Sequence, residues 1–131
     1  MFVHFPVALW TASVAWDALG VGLGNASWWT LSYWSLAAGT AMALPAVVTG
    51  FAEFLRIRKG DPAEKTAILH MSAMSGAATL FLAGLLLHRP AAPPQPFLPA
   101  LALSLAGLAC LSAGGVLAAR LVYGYGVGME R

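Results

Sequence analysis

The sequence predicts an all-α integral membrane protein, an up-down bundle of four transmembrane helices in a single domain over residues 1–131. Two observations lead to this prediction. Hydrophobic residues make up 60% of the chain and charged residues only 9%, whereas charged residues are about a quarter of a soluble domain. The apolar residues also form long blocks between short polar breaks, and a block of about 18 or more can cross the hydrocarbon core as a helix.

The first two apolar blocks predict helices over about residues 2–23 and 31–56. The first block lacks a basic leader and an A-x-A-like cleavage site, so we interpret it as a retained helix rather than a signal peptide. It ends in the glycine-spaced segment GVGLGN. The second helix is expected to begin in the aromatic cluster WWTLSYW, to contain Pro45 and to stop near Arg56.

The clearest boundary is the start of the third helix, which is predicted over residues 62–88. In KGDPAEK, Asp61 is a good N-cap, Pro62 suits the first helical position, and Glu64 completes a capping-box pattern. The proline-rich segment RPAAPPQP cannot be helical. The fourth helix is predicted over about residues 97–122, before the glycines of GYGVGMER. Connections this short favour antiparallel neighbours.

Basic residues indicate the direction of the helices. The connection between the second and third helices and the end of the chain carry Arg56, Arg58, Lys59, Lys65, Arg120 and Arg131. The opposite side carries Arg89 alone. Because Lys and Arg concentrate in short cytoplasmic loops, we expect the basic side and both termini to face the cytoplasm. The cluster WWTLSYW would then anchor the second helix at the outer interface.

Polar groups from all four helices are predicted to meet at the basic side. His4 starts the first helix, and His70 lies about 12 Å along the third helix, which runs parallel to the first. The second helix contributes Glu53, and the fourth contributes Arg120 and Tyr123. We predict that His4 points inward and that a contact between helices joins two of His4, His70, Glu53 and Tyr123. The reason is that an unpaired polar side chain in hydrocarbon costs several kcal/mol.

Three kinds of chemistry suit such a cluster. Two histidines on parallel helices can ligate the iron of a haem b between the helices, which makes His4 and His70 candidate axial ligands. The further candidates are Tyr123, the arginines Arg120, Arg56 and Arg58 for the propionates, and Met71 or Met74 as a replacement axial ligand. A second hypothesis is a divalent metal held by His4, His70 and Glu53. The third is a polar network that fixes the bundle or docks a partner.

Each of these residues also has a simpler interpretation. His4 lies close enough to the terminus to be an interfacial residue. His70, within ILHMSAMSG, can be a core histidine with a hydrogen bond. Glu53 can pair with Arg56, which lies one helical turn further on.

Three other residues were assigned no role in this cluster. Asp17 lies in the outer half of the first helix, where it can cap the helix end or bond tryptophan and serine groups. We interpret His88 as an outer-interface residue, since Arg89 and a proline follow it. Cys110 lies in an apolar block and is interpreted as a small packing residue.

Several segments of the chain resemble a bacterial membrane family catalogued as domain of unknown function 2231. They are HFPVAL at residues 4–9, TGFAEFLRI at 49–57, the histidine after the basic loop, and GGVLAARLVYGYGVG at 114–128. Carried over position by position, the recurrent features of the family fall on His4, Phe5, Pro6, Asp17, Thr49, Gly50, Glu53, His70, Gly114, Leu121, Val122, Tyr123, Gly126, Val127 and Gly128. Family members usually have aspartate at the position of Glu53, and often a glycine pair at Ala118 and Ala119.

The resemblance implies no established activity, but it does imply which kind of proteins this chain works with. Domains of this kind also occur fused to a C-terminal Rieske iron–sulfur domain, which implies an association with electron transfer. We therefore expect a membrane subunit of an electron-transfer complex in the bacterial inner membrane, without catalytic activity of its own and with haem b as its cofactor. The alternative is a structural accessory subunit of a larger respiratory or photosynthetic complex. Lipids and other subunits are the expected partners, and nucleic acid is not.

Overall fold

The chain forms four long helices in the computed structural model, which describes residues 3–88 and 98–128. They are α1 (His4–Leu23), α2 (Ala26–Phe54), α3 (Pro62–Leu87) and α4 (Leu98–Ala119), and α4 continues as a π-helical segment, Arg120–Gly124. All four are long and apolar enough to cross a membrane. The predicted all-helical fold with four candidate spans is thereby confirmed. The proline-rich connection, Arg89 and Arg131 lie outside the described residues.

The start of α2 differs from the prediction, because α2 begins at Ala26 rather than at about residue 31. Asn25 is the N-cap, and its side-chain oxygen accepts a hydrogen bond from the backbone N–H of Ser27 at 2.9 Å. Gly24 ends α1 in the left-handed conformation, with φ of 63°, which glycine adopts without steric cost. The aromatic cluster is therefore already helical, and a connection of Gly24 and Asn25 makes α1 and α2 an antiparallel hairpin.

The start of α3 follows the prediction closely. Asp61 is the N-cap and accepts a hydrogen bond from the N–H of Ala63 at 2.8 Å, and Pro62 occupies the first turn. Glu64 reaches back to the N–H of Gly60 at 2.7 Å instead of to that of Asp61. The N–H of Asp61 already donates to the carbonyl of Arg58. The capping box is thus shifted by one residue, because its usual donor is occupied.

The α2–α3 connection and the end of α4 meet at one end of the bundle, which we call the basic end. There the backbone N–H groups of Gly126 and Val127 donate to the carbonyls of Val122 and Leu121. Those bonds fold the chain after α4 back on itself. Val127 then packs against a small cluster formed by Ala63, Ala67, Leu121, Phe54 and Ile57. The opposite end carries the tryptophans at the start of α2, and we call it the aromatic end.

The bundle consists of two tightly packed hairpins, α1/α2 and α3/α4, with sparser contacts of α1 with α4 and of α2 with α3. Buried residues recur every three or four positions, as expected for one face of a helix. On α2 they are Trp29, Ser32, Leu36, Gly39 and Ala43, and on α4 they are Ala100, Ser104, Gly107, Leu111 and Gly114. Outward positions are strongly apolar, with Leu44, Val48 and Leu86 about 70% exposed. The surface of a water-soluble protein is instead covered mainly by polar and charged side chains at its helical outward positions.

Trp10 fixes the position of α1 in the bundle. Its ring stacks on Phe81 of α3 with centroids 4.7 Å apart, and its Nε1–H donates to Thr40 Oγ1 of α2 at 3.3 Å. Gly39 makes room for it, since a Cβ built there would lie 2.8 Å from the indole ring. A tryptophan held on two sides in this way allows little sliding between α1 and its neighbours.

The register set by Trp10 and Phe81 recurs further along the same two helices. Asp17 and His88 are in contact and are separated by 71 residues of sequence, as Trp10 and Phe81 are. In each helix the two residues are about two turns apart, so α1 and α3 run parallel in a constant register. The same offset sets the start of α1, His4, level with about Ser75. Consequently α3 continues for several turns beyond α1 towards the basic end.

Candidate functional site

His70 is a predicted site residue that contacts a neighbouring helix. It is half-buried on α3, and its Nδ1 lies 2.9 Å from the backbone oxygen of Gly114 on α4. Because a carbonyl only accepts, Nδ1 donates its proton in this contact, and Nε2 takes no part in it. This contact is the one expected of a core histidine with a hydrogen bond.

The other predicted residues lie at the surface of the bundle. Glu53 pairs with Arg56 at 2.6 Å across one helical turn, as its simpler interpretation predicted. Tyr123 is 85% exposed, and Arg120 is exposed as well. His4 is exposed in the first turn of α1 rather than buried in the bundle.

The register of the helices explains this placement. Heights along the bundle axis can be counted from the Trp10–Phe81 level at the helical rise per residue. His4 then lies about 9 Å towards the basic end, His70 about 16 Å and Glu53 about 20 Å. In residues 3–88 and 98–128, no group of three or more His, Cys, Asp or Glu side chains could hold a metal ion. The structure therefore does not gather His4, His70 and Glu53 as a set of metal ligands.

A buried carboxyl–imidazole pair lies at the aromatic end instead. Asp17 Oδ1 of α1 and His88 Nε2 at the end of α3 are 3.2 Å apart, and their side chains are 0% and 3% exposed. This distance fits a hydrogen bond, in which either the imidazole N–H donates to the carboxylate or a protonated carboxyl donates to Nε2. The second polar atoms of the pair, Asp17 Oδ2 and His88 Nδ1, are buried without a hydrogen-bond partner among the described residues.

Aromatic rings enclose this pair. The imidazole of His88 packs against Trp29 and Tyr33 of α2, with ring centroids 5.7 and 6.0 Å away. Gly20, about one turn after Asp17, admits the Trp29 ring, because a Cβ there would lie 3.0 Å from it. The backbone N–H of His88 donates to the carbonyl of Gly84. These contacts hold the imidazole in place and separate it from the surrounding apolar phase.

Two serines extend the pair into a layer to which every helix contributes. Ser32 of α2 and Ser104 of α4 are 0% and 1% exposed, and the Oγ of each has no hydrogen-bond partner among the described residues. The register sets Ser32 level with Asp17, and Ser104 lies about one turn away, opposite Gly84. We call Asp17, Ser32, His88 and Ser104 the polar layer. Buried unpaired polar atoms are rare in proteins and commonly mark an ordered water or a functional group.

Comparison with known proteins identifies the family of the chain. The sequence profile of the family described as predicted membrane protein (DUF2231) matches residues 1–131. The chain belongs to this family. No curated protein and no solved structure gives a match to it. The resemblance noted from the sequence motifs is thus confirmed over the whole chain, and the protein is a membrane protein with four candidate spans.

Sequence reasoning on this DUF2231 member missed the polar layer, although a signal was present. From sequence, Asp17 is interpreted as a cap of the helix end or a partner of tryptophan and serine groups, and His88 as an outer-interface residue. The signal is periodic: Trp10, Val14 and Asp17 follow one another at spacings of four and three on α1. Ser32 and Ser104 occupy equivalent positions on the buried stripes of their own helices. Polar residues on an otherwise apolar buried stripe are candidates to meet in the core.

We expect the Asp17–His88 contact to be energetically coupled. Asp17→Ala and His88→Ala should each lower the free energy of unfolding by about 1–3 kcal/mol, because each leaves a buried polar group without its partner. The double variant should lose less than the sum of the two. Unfolding of the purified chain in mixed micelles, followed by circular dichroism, measures all three values.

The control is Ser112→Ala, which removes an exposed hydroxyl bonded within α4 and should change stability by no more than about 0.5 kcal/mol. Strict additivity of the two single losses would show that the carboxyl and the imidazole do not interact in the folded protein.

Proposed function

We propose that this protein is a membrane subunit associated with an electron-transfer complex, without catalytic activity of its own, and that its Asp17–His88 pair takes up and releases a proton. The observation that supports the proton role most directly is the 3.2 Å contact between two buried ionisable side chains, Asp17 within one candidate membrane span and His88 directly after the last residue of another. Ionisable residues in such segments are costly, pair with one another and mark proton relays or ligand pathways.

The chemistry of the pair suits proton transfer. A carboxyl and an imidazole in contact can hold a proton between them and pass it on through their outer atoms, Asp17 Oδ2 and His88 Nδ1. Those atoms are unpartnered in the described part of the chain, so each is able to bond a water molecule. Tyr33 is the other titratable group packed on the imidazole, while α4 brings the uncharged Ser104. Arg89, which follows His88, lies outside the described residues.

The association with electron transfer is supported by sequence. The motifs of this chain are those of a family whose domains also occur fused to a Rieske iron–sulfur domain. Reduction of organic electron carriers in membranes consumes protons, so a buried proton-holding pair is useful beside such carriers. The apolar outer faces of the helices leave ample surface for lipid and for other subunits.

A test of this function separates it from a purely structural role. In membranes of the native host, loss of the chain should slow electron transfer, measured as oxygen consumption driven by a respiratory substrate. Asp17→Asn should slow it comparably although the complex still assembles, because an amide keeps the shape of the carboxyl but cannot relay its proton. The matched control, Glu64→Gln, alters a carboxylate at the basic end and should have no effect. A full rate with Asp17→Asn would leave the chain as a structural accessory subunit.

A second candidate function is ligation of haem b, which one contact favours. The hydrogen bond of His70 Nδ1 to Gly114 orients the ring and leaves Nε2 as a ligand atom, as is usual for metal-bound histidines. His70 would therefore hold a haem iron from one side, and His4, Arg120 and Tyr123, the further candidates from the sequence, would have to approach it from exposed positions. A bound haem would supply one-electron redox chemistry.

Absorption spectroscopy tests the haem proposal. The chain purified from haem-replete cells should show a Soret band and a dithionite-reduced difference spectrum. His70→Gln and His4→Gln should each remove or shift these bands, whereas His88→Gln should leave them unchanged. A wild-type chain without a Soret band would exclude haem ligation by this protein.

We also propose that the protein lies in the bacterial inner membrane with both termini in the cytoplasm. Arg56, Arg58, Lys59, Lys65 and Arg120 all lie at the basic end, and such residues concentrate on the cytoplasmic side. The Asp17–His88 pair would then lie nearer the periplasm. Reporter fusions after residue 131 and within residues 90–96 should report cytoplasmic and periplasmic locations, respectively. The opposite pattern would reverse this orientation.

A further inference from the structure

An open polar pocket of about 730 Å³ lies at the basic end, between the α2–α3 connection and the turn that follows α4. Two arginines, Arg56 and Arg58, and two carboxylates, Glu53 and Asp61, line it together with Tyr125 and the residues 126–128. This volume is within the range of sites for small organic ligands. The pocket is remote from the polar layer, so an inference about it is independent of the proposed function.

The carboxylates at this end are already engaged within the chain. Glu53 pairs with Arg56 at 2.6 Å, Asp61 caps α3, and Glu64 accepts a hydrogen bond from Gly60. The exposed cations Arg58, Lys59, Lys65 and Arg120, in contrast, form no ion pair with a described residue. The basic end therefore presents an excess of positive charge. Within the pocket, which Glu53 and Asp61 also line, Arg58 is the cation that forms no ion pair with a described residue.

Apolar side chains lie beside the pocket, next to the residues that line it. Phe51 and Leu55, at the end of α2, are 50% and 67% exposed, and they face outward next to Glu53 and Arg56. Because α2 and α3 are both candidate membrane spans, the connection between them lies where hydrocarbon gives way to lipid headgroups. A ligand at this place meets arginine on its polar part and apolar side chains beside it.

We propose that this pocket binds the phosphate headgroup of an anionic phospholipid. Arg58 contacts the phosphate, the Tyr125 hydroxyl bonds the headgroup, and the acyl chains run along Phe51 and Leu55. Arginine is suited to this task because its planar guanidinium presents several N–H donors to phosphate oxygens. Basic pockets between membrane helices are known as sites for such headgroups.

Native mass spectrometry of the full-length chain in detergent tests the proposal, with phosphatidylglycerol and phosphatidylcholine of identical acyl chains as probes. Phosphatidylglycerol should bind in preference to the zwitterionic lipid, which carries no net charge. Arg58→Gln should weaken phosphatidylglycerol binding about fivefold, and Arg58→Lys should retain most of it. Arg120→Gln is the matched control, since it removes an exposed arginine of the same end that does not line the pocket.

Three results would overturn the proposal. The first is equal binding of the two lipids, and the second is an equal loss with Arg58→Gln and Arg120→Gln, which would indicate diffuse attraction without a site. The third is binding of free glycerol phosphate as tight as that of phosphatidylglycerol, which would make the ligand a soluble anion. Circular dichroism of each variant verifies that the helices remain formed.

Discussion

The anchoring of Trp10 is the constraint on which the arrangement of the bundle depends. One face of its indole stacks on Phe81, its N–H bonds Thr40, and Gly39 leaves the space that the ring needs. Membrane helices gain little from apolar burial, because lipid is as apolar as a side chain, so close packing and hydrogen bonds set their positions. Trp10 gives α1 both close packing and a hydrogen bond. The register that it imposes brings Asp17 into contact with His88 about two turns further on.

That register also determines how the two ends of the molecule differ. At the aromatic end α1 and α3 both contribute to the core, and all four helices deliver a buried polar residue to one layer. Towards the basic end α1 is absent, since it starts level with about Ser75, and His70 of α3 bonds α4 instead. The aromatic end thus contains the buried Asp17–His88 contact, while the basic end presents exposed cations and a pocket.

The helices could be predicted from sequence because their signals are local. The signals that start α3 lie within a few residues, at Asp61, Pro62 and Glu64. The N-cap at Asn25 was missed, because the aromatic cluster that follows it was interpreted as the start of α2. The meeting of Asp17 and His88 depends on the depth of two helices whose residues are 71 positions apart, and no local pattern encodes that depth. The prediction set His4 level with His70, which lies eight residues after Pro62. The register set by Trp10 instead puts His4 level with about Ser75.

Stability alone gives no reason for an ionisable pair in the bundle. Replacing a buried ion pair with well-packed apolar residues is often neutral or stabilising, whereas removing one partner is strongly destabilising. An apolar layer at these positions would satisfy the packing that Trp29 and Phe81 already provide. The polar layer instead leaves four side-chain atoms without hydrogen bonds among the described residues, a cost that water or a mobile proton can offset. The proposed uptake and release of a proton, rather than stability, would account for such a layer.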